Sequence, residues 1–129
     1  MASGYNSPSL TASGAIGPFL CIAVDGENTA DVASADDYCV GVTNGGTSRF
    51  DDADTNTGDA LELQETGVKR IQAGAAISAG ARVSAASGGK VITAPTAGAG
   101  KFSVGVAITA AADVNDIILV AWNPHGNQA

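Results

Sequence analysis

The residues best suited to chemistry are carboxylates: Asp51, Asp52, Asp54 and Asp59 lie in one stretch, Gly45–Asp59, together with Asn, Thr and Gly. Asp52, Asp54 and Asn56 match the first three ligand positions of a helix-flanked calcium loop. Its sixth position needs Gly and holds Thr57, and its twelfth needs Glu and holds Leu63. Paired acids for glycoside cleavage are present by number, yet a sugar platform is normally aromatic and the stretch offers only Phe50. Nucleophilic catalysis needs a nucleophile, a base and an orienting group. The one histidine, His125, belongs to a polar segment where preorganisation is difficult, so Ser–His and Cys–His chemistry both fail. Cys21 and Cys39 are too few for a disulfide framework and, with a single histidine, for a structural zinc site. Buried free thiols are expected, a single bridge being the alternative.

Gly98-Ala99-Gly100-Lys101 has part of a phosphate loop. Pro95 stands where the first glycine is needed, however, and Phe102 where Ser or Thr must follow the lysine. Lys90 follows a glycine turn as the modified lysine of lipoyl and biotinyl carrier domains does, but its neighbours are Gly89 and Val91 rather than the acidic or methionine residues of those domains. No catalytic, cofactor-binding or metal-ligating set is therefore expected.

The elements that must carry these residues are short. The chain has 129 residues with 17 glycines and six aromatic side chains. Surface scaling gives a folded area of about 6,200 Å² against about 18,000 Å² unfolded, enough burial for one domain. Its core must come from Ala, Val and Ile, which bury less area per residue than aromatics. A partner surface is then a second source of stability.

The net charge of −7 argues against nucleic acid, which needs a concentrated basic face. The charge is also uneven. Residues 1–65 hold eleven acids and only Arg49 as a base, whereas residues 66–129 hold two acids and five bases. Such asymmetry suits unlike surfaces meeting between neighbouring copies, and equally a solvated acidic loop. No apolar stretch approaches the length of a bilayer span, and Ala15–Val24 lacks a preceding base and is interrupted by Pro18, so neither a membrane segment nor a signal peptide is expected.

Short β-branched segments alternate with glycine-rich punctuation, the pattern of an all-β domain. Strands are expected over Phe19–Val24, Tyr38–Thr43, Ala60–Leu63, Val68–Gln72, Ala81–Ala85, Lys90–Ala94, Phe102–Thr109 and Ile117–Trp122. Leu61 and Leu63 alternate with polar neighbours, whereas Val68 and Ile71 fall out of phase. Ser87-Gly88-Gly89 suits a tight hairpin, and the alanines of Ala107–Val114 suit one helical turn. Residues 1–14 read as an extended N-terminal arm, 15–122 as a single β domain with an exposed acidic loop at 45–59, and 123–129 as a C-terminal tail. Cys39-Val40-Gly41-Val42 and Ser103-Val104-Gly105-Val106 echo each other, each after an aromatic residue, Tyr38 or Phe102. In regular strands their valines would share one face, with glycine opposite.

From Gly67 to Val120 the order of segments is informative: Gly67-Val68-Lys69, then Ala73–Val83 with Ile77 and Gly80, then Gly88-Gly89-Lys90-Val91, then Val104-Gly105-Val106-Ala107, then Ile117–Val120. This order resembles the head-decoration (capsid cement) proteins of tailed bacteriophages, with Phe19–Thr43 a looser extension of the likeness. The resemblance implies a small β-barrel or β-tulip domain. It implies a homotrimeric, non-enzymatic virion protein on the outer capsid surface, bracing contacts between major capsid protein subunits. Neither nucleic acid, membrane nor cofactor is implied, and synthesis is in the host cytoplasm. The acidic stretch and the β pattern leave a calcium- or glycan-binding adhesion module as the alternative, and a carrier domain or hydrolase as a third.

Overall fold

A computed structural model describes residues 10–35, 37–44, 58, 61, 63–94 and 102–126. Among these there is no α-helix, and the strands form two sheets. The first has the order β1-β3-β2-β4, with β1 at Thr11–Ala12, β2 at Cys21–Gly26, β3 at Thr29–Val32 and β4 at Gly41–Val42. Strands β2 and β3 form an antiparallel hairpin, and β1 runs parallel to β3 through Thr11↔Thr29 and Ala12↔Ala30. The second sheet has the order β5-β9-β8-β6-β7: β5 Val68–Gln72, β6 Arg82–Ala85, β7 Val91–Thr93, β8 Phe102–Ala107 and β9 Ile117–Gly126. All its neighbours are antiparallel. It curls until its outer strands meet: Ala73 bridges Val91, and the Gly74 amide donates to the Val91 carbonyl at 2.7 Å. The result is a small barrel, as the resemblance implies.

Period-two alternation sends side chains to two cores. Ile71, Val83, Val91, Val104, Ile118 and Val120 fill the barrel interior, and Cys21, Ala33, Cys39 and Val42 of the N-terminal half join that cluster. Ile22, on the opposite face of β2 from Cys21, enters a second cluster with Ala12, Ile16, Leu20 and Ala30. The first sheet is thus covered on both faces, one of them by the barrel. Gly89 marks the junction. Its amide donates to the Ala33 carbonyl at 2.9 Å, and a Cβ there would lie 2.7 Å from the Cys21 carbonyl oxygen.

Several expectations are corrected. The segment assigned to the arm is already sheet at Thr11–Ala12, with Ala12 buried, so only its first nine residues lie outside the described part. β9 continues past Trp122 to Gly126 because Ser103 and Phe102 of β8 still offer it a partner. β3 was absent from the expected strands: Thr-Ala-Asp-Val has weak β-propensity, and its place between β1 and β2 decides the matter. The alanine-rich turn is not helical. Ala111 pairs with Ile77, and the Asp116 carboxylate accepts from the Ala112 and Asp113 amides, holding a bend instead. The Ser87–Gly89 hairpin is present as a 3-10 turn joining β6 to β7. The valine echo does not keep its phase. Val42 and Val104 are buried while Val40 and Val106 are exposed, because β4 begins only at Gly41 and the β8–β9 register shifts between Ser103 and Gly105. The two aromatics of the echo do meet, Tyr38 and Phe102 packing edge to face at 5.2 Å.

Candidate functional site

The outer face of the barrel is where apolar side chains meet solvent. The register places Val68, Ala121, Val106 and Arg82 in one row across β5, β9, β8 and β6. The next row holds Arg70 opposite Leu119, whose carbonyl accepts from the Ile108 amide at 2.7 Å; Gln72 opposite Ile117 follows. Val68, Val106, Ile108 and Ile117 are each 43–47% exposed. Branched apolar side chains aligned this way, with arginine at the margins, have the composition of a protein–protein contact rather than of a reaction centre.

Two hollows flank this stripe. The larger, about 470 Å³, lies between Phe19, Asn44 and Gln64–Thr66 on one side and Val68, Arg70 and Leu119 on the other. The smaller, about 300 Å³, is lined by Arg82, Ser103, Gly105, Val106, Ala121 and Asn123.

The wall of the larger hollow is held by side chains that stand in for a missing strand. Gln64 donates from Nε2 to the Arg70 carbonyl at 2.7 Å, and its Oε1 accepts from the Arg70 amide at 2.8 Å. The Gln72 amide donates to the Phe19 carbonyl at 2.8 Å. The outer edge of β5 is thereby satisfied without another strand, which removes a template for uncontrolled pairing. Beneath it Lys69 is buried, its Nζ donating to the Gln64 and Thr66 carbonyls at 2.7 and 2.9 Å and lying 5.5 Å from the Trp122 ring centre. Burial pulls its ammonium below the usual lysine range, an effect Glu65 opposes. Lys69 is the inward residue between Val68 and Arg70 that makes β5 alternate; a lysine gives no interior signal in sequence.

A second exposed feature is the β2–β3 hairpin. Val24 is 53% exposed beside Asp25, and the loop residue Glu27 is also exposed. The Asp25 carboxylate accepts from the Ser13 hydroxyl and, at 2.8 Å, from the Thr29 hydroxyl. These bonds, Ser13 first, hold its carboxyl below the ordinary range.

Of the residues considered for chemistry, the described ones do not converge. Asp51, Asp52, Asp54, Asn56 and Asp59 lie outside the described residues, as does Gly98–Lys101. Among the described residues no group of three His, Cys, Asp or Glu could hold a metal ion. His125 lies in β9, its backbone paired with Ser103. Lys90 donates a hydrogen bond from Nζ to Asn115 Oδ1 at 2.5 Å. Cys21 and Cys39 are buried and free; a hydrogen bond between their thiols, then burial, pushes Cys21 well up, the reverse of an activated thiolate.

No curated protein matches this sequence. The fold is similar to the crystal structure of the N base of the head fiber of bacteriophage phi29, at a TM-score of 0.67 and 15% identity, covering 89% of this chain and 91% of that one. At that identity the likeness speaks for the fold alone. A family model described as phage cement protein matches residues 9–122, nearly the whole described region. An all-β barrel with an apolar outer face, matched over that length, belongs to the phage cement protein family.

Proposed function

We propose that this chain is a structural protein of the phage virion that binds the outer surface of the assembled head as a homotrimer and stabilises contacts between major capsid protein subunits. The observation that carries this reading is the family match over residues 9–122. The exposed row Val68, Val106, Ile108 and Ile117 supports its homotrimer part, since a contact between copies needs apolar surface on a sheet face and no titratable machinery. A cement protein acts by mass action. A ligand that binds only the assembled state adds about 2.7 kcal/mol per site at a hundredfold excess over Kd, and many copies multiply that term.

The N-terminal arm expected over residues 1–14 is part of the proposal, as a further contact with the shell. A truncation testing it ends at residue 9, because Ala12 and Ile16 belong to the second core. The deciding experiment mixes the purified chain with expanded and unexpanded capsid shells and follows co-sedimentation, shell rupture temperature and density on the shell. Binding to the outer face with a raised rupture temperature is expected. A chain that stays in the supernatant with both shells overturns the proposal. Removal of residues 1–9 is expected to weaken attachment and leave the thermal transition of the free chain unchanged.

A further inference from the structure

We infer that copies of this chain join head to tail, the acidic β2–β3 hairpin of one copy resting on the apolar, arginine-bearing β5–β9–β8 face of the next. The inference deepens the homotrimer proposed above and rests on it. It begins with two exposed patches on one molecule, one acidic and one apolar with Arg70 beside it. The barrel face presents Val68, Val106, Ile108 and Ile117 next to Arg70, and beside Arg70 lies the 470 Å³ hollow, which Glu65 also lines. The hairpin presents Val24, at 53% the most exposed of the large apolar side chains among the described residues, next to Asp25 and Glu27. Each patch is exposed, so neither is covered by the other within one chain. Arg70 and Glu27 make no ion pair with another described residue.

Symmetry then selects the geometry. A threefold ring repeats one contact in which two different patches of the chain meet. Pairing the two patches sets Arg70 of one copy against Glu27 of the next rather than like charge against like, which costs several kcal/mol in a desolvated contact. A contact between two different patches is heterologous, and it closes as a ring when the rotation allows. The hairpin is built to hold its charge in place. Ser13 and Thr29 hydroxyls fix the Asp25 carboxylate, and the tip turns through Asn28 at φ 62°. The receiving face is equally fixed, since Gln64 satisfies the Arg70 backbone and Lys69 anchors the loop beside it.

The test uses the full chain and sedimentation equilibrium, with circular dichroism melts as a control for folding. Three variants are compared with the unaltered protein: Arg70→Glu, Glu27→Arg, and both together. Each single reversal is expected to weaken self-association at least about tenfold, and the double swap to recover most of that loss by restoring the pair with reversed sign. If the single reversals leave a trimer intact, the trimer is made elsewhere: the head-to-tail inference fails while the homotrimer stands. A loss that the double swap does not repair also overturns the pairing. An unaltered chain that remains monomeric at all concentrations and on shells removes the homotrimer itself, and the inference with it.

Discussion

The barrel and the sheet before it solve the edge problem differently. In the barrel, β5-β9-β8-β6-β7 closes on itself at Ala73↔Val91, and the outer side of β5 is satisfied by Gln64. The first sheet has strands as short as two residues at both margins and depends on what covers it, the barrel on one face and the Leu10, Ile16 and Leu63 cluster on the other. Closure lets the barrel leave apolar residues on its outer face, because its backbone needs no further partner there. The N-terminal sheet, lacking closure, buries Cys21 and Ile22 on its two faces and shows solvent an acidic hairpin with Val24 beside Asp25. One half of the molecule is a rigid platform, and the other is a graft stabilised by docking.

Breaking the platform is expected to cost more than breaking the joint. At the register shift between β8 and β9, Gly105 has φ 151°, and a Cβ there would lie 1.9 Å from the Ala121 carbonyl oxygen, a backbone atom of the paired strand. Gly105→Ala must separate β8 from β9, and urea unfolding is expected to show a loss of about 4 kcal/mol or more. Gly89→Ala tests the joint. It combines φ 81° with a Cβ position 2.7 Å from the Cys21 carbonyl, and a loss of about 3 kcal/mol is expected. Gly88→Ala is the control: φ is 80° but nothing stands within 4 Å, so only the backbone strain of about 1 kcal/mol is expected. Equal losses at Gly88 and Gly89 would mean that the contact with Cys21 does not hold the two regions together.

On β6 one buried polar atom is out of place. Ser84 is fully buried on the face opposite Val83 and Ala85, and among the described residues its Oγ has no hydrogen-bond partner. Ser84→Ala removes an unsatisfied hydroxyl and is expected to raise stability by about 1 kcal/mol in the same urea series. A loss instead would show that the hydroxyl is satisfied.

The barrel was far more legible in sequence than the sheet before it. Four of the expected strands in the second half coincide with β5, β6, β7 and β8 to within a residue or two, since Val, Ile and glycine punctuation dominate there. β1 and β3 were illegible: Thr-Ala and Thr-Ala-Asp-Val are held by pairing with β2 rather than by their own propensity. The candidate surface was half visible. Val68, Val106 and Ile117 stand in the sequence as apolar residues, but which of them face outward depends on the register shift at Gly105 and on Lys69 occupying an inward position. The charge asymmetry between the two halves was visible at once, and it now separates an acidic hairpin from an arginine-bordered face.

The smallest expected effect lies at the margin of the graft, where Asp25 ties the residue after β1 to β3 through the hydroxyls of Ser13 and Thr29. Its carboxyl titrates below the ordinary value of 3.8, so just beneath that pH the unfolded chain binds more protons than the folded one. The stabilisation is present above pH 3.8 and is lost as pH falls through the lower folded-state value. Asp25→Asn is expected to flatten this acid-side slope of the thermal midpoint and to leave the profile near neutrality almost unchanged, because the site is exposed. Substituting Ser13 by Ala is expected to remove the larger share of the slope and Thr29→Ala the smaller, following the order in which the two hydroxyls hold the carboxylate. A slope untouched by all three changes would mean that the N-terminal margin is held by β1–β3 backbone pairing alone, and the hairpin would then lose its fixed charge as a reason to be the docking element.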